Sequence, residues 1–178
     1  VIRSRTPADL PALERVLHEA HETDSYPTVW PTDPAAFLTP PSVGEWAVGE
    51  WMAEDQGQVV GQVVLRPVTD PAPGWVRATE LAAPEVLILS RLFVAPAARG
   101  RGPARGLLRT AWQEALNRRR RAILDVHHRN WGAIRLYEAA GWRRVATVGG
   151  DWTEPDGKVP QVHVYVAPEH AAPSLNPT

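Results

Sequence analysis

One junction constrains this chain more than any other part of it. The run VLILSRLFV, from Val86 to Val94, reads as a buried strand that stops at Pro96. A few residues later RGRGPARGLL, Arg99 to Leu108, opens a segment in which Ala104, Leu107, Leu108, Ala111, Trp112, Ala115 and Leu116 recur on one helical face. Glycine costs about 1 kcal/mol in a helix interior relative to alanine, so its repetition at a helix mouth indicates a tight bend or a close approach. A strand, a glycine turn and a helix start together present unpaired N–H groups and a positive helix end, a setting for an anion. Arginines in the turn agree with that. The motif is neither a Walker loop, which needs Gly-Lys-Ser/Thr, nor a dinucleotide fingerprint, because Gly100, Gly102 and Gly106 do not make GxGxxG. By itself it fits a phosphate cradle and a solvated basic loop equally.

The remaining segments place this junction in a mixed α/β order. A helix is predicted from Pro7 to His21, started by Thr6 and Asp9. The stretch from Asp24 to Pro40 is rich in proline and aromatics and reads as a structured loop with one short helix near Pro34 to Leu38. A hairpin follows from Trp46 to Arg66, turning near Gln56 and Gly57. A short helix near Val76 to Ala82 precedes the buried strand. After the strong helix come a strand from Ala122 to Val126, a helix from Asn130 to Ala140 stopped by Gly141, and a last hairpin at Val145 to Val148 and Gln161 to Val166. Arg118 to Arg121 read as a basic helix C-terminus.

At 178 residues the chain holds one domain, taken as residues 1–166, with a Pro/Ala-rich flexible tail at 167–178. The net charge of −1 gives no overall field to hold nucleic acid or an anionic membrane. With no cysteine, disulfides and thiolate chemistry are excluded and a cytoplasmic home fits. No signal-peptide core and no apolar run of roughly 18 residues is present, so no membrane span is expected.

The segment DVHHRNWGAIRLYEAAGW, Asp125 to Trp142, resolves the ambiguity of the glycine turn. Together the two segments resemble the GNAT family of N-acetyltransferases. The matching positions are Val94 and Pro96, then Arg99, Gly102 and Ala104, then Asn130, Ala133, Tyr137, Gly141 and Trp142. The resemblance implies the GNAT fold, an α/β architecture with a mixed central sheet of about six to seven strands flanked by about four helices. It also implies acetyl-CoA as co-substrate, with the pyrophosphate of coenzyme A held by the backbone of Arg99, Gly100, Arg101, Gly102, Pro103, Ala104 and Arg105. Pro103 has no N–H to give and is read as the first residue of the helix. The strand edge Leu92, Phe93 and Val94 pairs with the pantetheine amides, and Asn130 and Ala133 line the same arm.

The implied reaction is acetyl transfer to a primary amine of a small molecule or peptide by direct attack, with Tyr137 as general acid to the leaving thiolate. A phenol near pKa 10 and a thiol near 8.5 are close enough to share a proton. Some family members carry a strand glutamate where this chain has Ile88, so the base is left open among His127, His128, Glu50, Glu54 and water. The 24–40 loop is expected to wall the acceptor site, with Tyr26 and Trp30 as binding residues, Asp24 as an alternative to Tyr26, and Trp46 beside Trp30. No metal is expected, because adjacent histidines on an extended chain point to opposite faces. Two readings compete: a non-catalytic acyl-CoA-binding or regulatory module of the same fold, and a transferase of longer acyl chains with its pocket near Phe93. The edge strands leave a homodimer open.

Overall fold

In the computed structural model, which describes residues 1–39 and 47–170, the strands form one seven-stranded sheet. They are β1 (Ile2–Ser4), β2 (Gly49–Asp55), β3 (Gln58–Arg66), β4 (Val86–Val94), β5 (Arg121–His127), β6 (Arg143–Gly149) and β7 (Gln161–Val166), in the spatial order β1-β2-β3-β4-β5-β7-β6. The helices are α1 (Leu10–Asp24), α2 (Pro34–Leu38), α3 (Pro103–Asn117) and α4 (Trp131–Ala139). All neighbouring strands run antiparallel except β4 and β5, which α3 joins as a crossover and which therefore run parallel.

That parallel pair is short. It pairs Val86 with Arg121, Leu87 with Ala122 and Ile88 with Ile123, and then ends, although β4 continues to Val94 and β5 to His127. On its other edge β4 carries a bulge. Gln62 pairs with Phe93 and Val64 with Ser90, so Val63 alone faces both Arg91 and Leu92, and Arg91 takes a φ of +50°. A bulge bends its strand and increases the local twist, which fits the departure of β4 from β5 past Ile88.

Alternation along the central strands feeds two apolar clusters. Leu87 and Leu89 with Ala122 and Leu124 join the larger one, packed by Leu13 and Leu17 of α1, Leu107, Leu108 and Trp112 of α3, and Tyr137 of α4. Val86, Ile88 and Ile123 point the other way, to a smaller cluster closed by Trp75 and Val76.

The structure departs from the sequence reading at four places. Pro7–Asp9 is a 3-10 turn, and α1 runs three residues past His21 to Asp24, because the stop is Ser25 in the left-handed region, its N–H bonded to the His21 carbonyl. The helix expected at Val76 to Ala82 is a 3-10 segment at Gly74–Thr79. The four arginines are not one helix end: α3 stops at Asn117, Arg119 turns the chain at φ +57°, and Arg121 opens β5. The tail does not fray from Ala167, which is buried with its N–H on the Ala122 carbonyl at 2.9 Å. Pro168 accepts from the Trp112 indole and Glu169 pairs with Arg121 at 3.1 Å. Residues 171–178 and Trp46 lie outside the described residues. Among those described, no helix is long and apolar enough to cross a membrane.

Leu87 is fully buried in the short parallel pair. Leu87→Ala is expected to cost about 2–5 kcal/mol, read as a lower urea midpoint with an unchanged slope.

Candidate active site

Where β4 and β5 separate, two cavities meet. The larger, about 850 Å³, runs from the mouth of α3 into the gap and is lined by Leu92, Phe93 and Val94 of β4, the turn from Arg99 to Arg105, and Asn130, Ala133 and Tyr137. The smaller, about 380 Å³, is lined by Phe37, Ser90, Arg91, Asp125, His127 and Trp152 among others. Tyr26, Leu92, Asn130, Ala133 and Tyr137 belong to both walls.

The turn has the backbone of an anion cradle. Gly100 and Gly102 adopt φ of +77° and +92°, which side chains rarely tolerate, and Gly102 is the N-cap of α3 with Pro103 next in the helix. The first helical bond is Gly106 N–H to the Gly102 carbonyl, at 3.0 Å. The N–H groups of Gly100, Arg101, Gly102, Ala104 and Arg105 have no acceptor among the described residues. The arginine side chains are less available: Arg99 pairs with Asp24, and Arg101 with Asp55 at 3.2 Å. An anion in the larger cavity would meet these amides, the helix end, and the guanidinium groups of Arg105 and Arg129 that line it.

The Asn-x-x-Ala spacing has a local cause. The Asn130 side chain caps α4 by accepting the Ala133 N–H at 3.2 Å. Ala133 and Tyr137 lie one turn apart on the same face, so the cap aims Tyr137 into the gap. The Tyr137 ring is buried against Trp142 and Tyr165, with centroids 5.9 and 5.8 Å away. Burial pushes its pKa well above the ordinary phenol value, so it keeps its proton at neutral pH. Burial likewise pushes the Tyr26 hydroxyl up to about 12.

The open question of a base narrows. Glu50 is bridged to Arg5 at 2.5 Å, Glu54 lies 3.6 Å from Arg3, and neither lines either of these two cavities. His127 accepts the Arg129 N–H on Nδ1 and holds Glu154 through Nε2 at 2.7 Å, so both ring nitrogens are engaged. The His127 and His128 rings do not point to opposite faces. They stack at 4.8 Å, because the strand ends at His127 and the chain turns.

Asp125 was missed by the sequence reading. It sits on β5 two residues beyond Ile123, on the same face, and lines the smaller cavity. Burial pushes its carboxyl up to about 6, helped by the charge of Asp151 and opposed by a backbone hydrogen bond and the charge of Arg66. The available signal was an acid inside the apolar strand AILDV.

Two acceptor-site expectations change. Trp30 lines neither cavity; its ring packs against His18 and His21 of α1, 5.2 Å from each, and clamps the loop. Asp24 lies on the side of the larger cavity, paired with Arg99. Arg129, Trp131 and Gly132, not singled out from sequence, line the larger cavity, and Trp131 is 64% exposed there.

The profile of the Acetyltransferase (GNAT) family matches residues 14–142. The chain belongs to the GNAT family. Among curated proteins it is 37% identical over 97 residues to N-acetyltransferase 8 of Mus musculus, covering 54% of this chain and 39% of that one. It is 33% identical over 110 residues to N-acetyltransferase 8 of Rattus norvegicus, covering 61% and 46%. The chain thus spans less than half the length of these relatives. Two solved structures share the GNAT fold almost end to end. The ribosomal-protein-S18-alanine N-acetyltransferase of Escherichia coli superposes with a TM-score of 0.69 at 21% identity, over 100% of this chain and 99% of that one. NAA60 of Arabidopsis thaliana, in complex with acetyl-CoA, gives 0.67 at 19% identity over 93% and 96%. The seven-stranded sheet and its flanking helices are the GNAT architecture expected from the motifs.

The Asp125 carboxyl is expected to titrate near pH 6 by carbon NMR. Asp151→Asn removes a like charge and should lower that midpoint; an unmoved midpoint would leave burial alone as the cause.

Proposed function

We propose that this GNAT chain is an acyl-CoA-dependent N-acetyltransferase that moves the acetyl group of acetyl-CoA to a primary amine of a small molecule or peptide. One observation carries the reading: Tyr137 stands in the wall shared by the cavity that holds the anion cradle and the cavity that holds Asp125. Acetyl-CoA supplies the acyl group as a thioester. The amides of residues 100–102, 104 and 105 receive its pyrophosphate, and the free edge of β4 at Leu92 to Val94 receives its amide arm by strand addition. The named N-acetyltransferases among the relatives and the acetyl-CoA bound to NAA60 support this assignment of donor and bond type.

On the acceptor side Asp125 takes the proton of the incoming ammonium, directly or through water. A carboxyl near pKa 6 is ionised at neutral pH, yet more basic than an ordinary aspartate. Tyr137 gives its proton to the leaving sulfur. Burial holds it neutral at pH 7, with its proton in place for the leaving thiolate. Tyr26, on both walls, meets acceptor and acyl group at their junction.

Isothermal titration tests the donor site. Acetyl-CoA and CoA should bind the parent chain, and Gly102→Val, forced at φ +92° and facing open space at the cradle, should lose at least tenfold in affinity. No binding to the parent chain would refute the reading. Tyr137→Phe should lower kcat about 100-fold or more while acetyl-CoA affinity stays within about twofold. An unchanged kcat would remove Tyr137 from the chemistry. The base must be deprotonated to act, so kcat/KM should fall as pH drops through about 6, and Asp125→Asn should abolish that limb.

A further inference from the structure

The connection from Gly150 to Pro160, between β6 and β7, closes on itself: Gly150 N–H bonds the Pro160 carbonyl at 2.7 Å and Glu154 N–H the Lys158 carbonyl at 2.8 Å. A side-chain pair then ties it to the end of β5. Glu154 Oε1 lies 2.7 Å from His127 Nε2, with both side chains one-fifth exposed. Because His127 Nδ1 already accepts the Arg129 N–H, at 3.1 Å, the ring proton sits on Nε2 and is donated to the carboxylate. His128 buttresses the pair, its ring stacked on His127 and its Nδ1 donating to the Gln161 carbonyl.

Two residues before Glu154, Trp152 lines the smaller cavity. Its ring lies over Gly150, where a Cβ would come within 2.9 Å of it and 3.3 Å of Pro160. The indole is therefore fixed relative to the connection, and the connection is fixed to β5 by Glu154 and His127.

We infer that Glu154 and His127 are positioning residues whose hydrogen bond holds Trp152 as a wall of the acceptor cavity, and so set the fit of the acceptor amine. The role rests on the transferase reading above; the latch itself does not. Neither residue touches the reacting atoms. Glu154 acts by accepting one N–H, a task that the amide oxygen of glutamine also performs.

The test uses the full chain. In hydrogen exchange read by mass spectrometry, Glu154→Ala should speed exchange of residues 150–160 at least tenfold. Glu154→Gln should match the parent. Trp152→Ala should leave exchange near the parent rate, and thermal melts report that each variant folds. In kinetics, the acceptor probes are a hexapeptide with a free alanine N-terminus and spermidine. With whichever probe the parent chain acetylates, Glu154→Ala and Trp152→Ala should each raise the acceptor KM about tenfold, with acetyl-CoA affinity within twofold of the parent and Glu154→Gln restoring KM. Unchanged exchange in Glu154→Ala overturns the latch. Faster exchange with an unmoved acceptor KM overturns its role in the site. If the parent acetylates neither probe, that result counts against the transferase reading for those amines, and exchange alone decides the latch.

Discussion

Past Ile88 and Ile123 the two central strands stop exchanging hydrogen bonds, and the site exists because they do. A sheet that continued to pair to Val94 and His127 would have its central gap filled by its own ladder. Separation leaves backbone N–H and C=O groups of β4 without a strand partner. A buried unmet group costs about 1–3 kcal/mol, so such an edge is tolerable only where water or an extended ligand can reach it. The bulge at Arg91 and Leu92 lies in the stretch of β4 that has left β5, and the capped start of α4 lines the gap. Opening the sheet and placing Tyr137 at the opening are thus one arrangement.

The second constraint is electrostatic. The glycine turn carries three arginines, of which Arg99 and Arg101 are matched by Asp24 and Asp55, and it offers an anion its amides together with Arg105. Fixed dipoles of this kind need no rearrangement when the ligand arrives. The smaller cavity carries the opposite charge, a carboxylate placed where burial and Asp151 weaken its acidity. The amide cradle lines one cavity and the carboxylate the other, with the Tyr137 phenol in the wall they share.

Much of this was legible in the chain. VLILSRLFV became β4 from Val86 to Val94, and the periodic apolar face became α3 from Pro103 to Asn117. Both carry strong, long-range patterning and clear stops. Asn130, Ala133 and Tyr137 were legible through the resemblance to the GNAT motif, whose spacing the Asn130 cap and the shared face of α4 explain locally. What escaped was set by tertiary contact. Ser25, and no glycine, ends α1, and Trp30 was drawn to His18 and His21 by packing that spacing does not encode. Asp125 looked like an anomaly in a buried strand because its pocket is formed by Phe37, Arg91 and Trp152, from three distant stretches.

The common wall has a consequence for substitution at the site. Tyr26, Leu92, Asn130, Ala133 and Tyr137 line both cavities, so a change of side-chain volume at any of them reshapes both. Phe37 and Trp152 line the smaller cavity and not the larger. They come from a short helix and from a connection that closes on itself, and each is tied to a central strand, Phe37 by Arg91 of β4 and the connection by His127 of β5. A substitution at Phe37 or Trp152 therefore reshapes the smaller cavity and leaves the wall of the larger one in place.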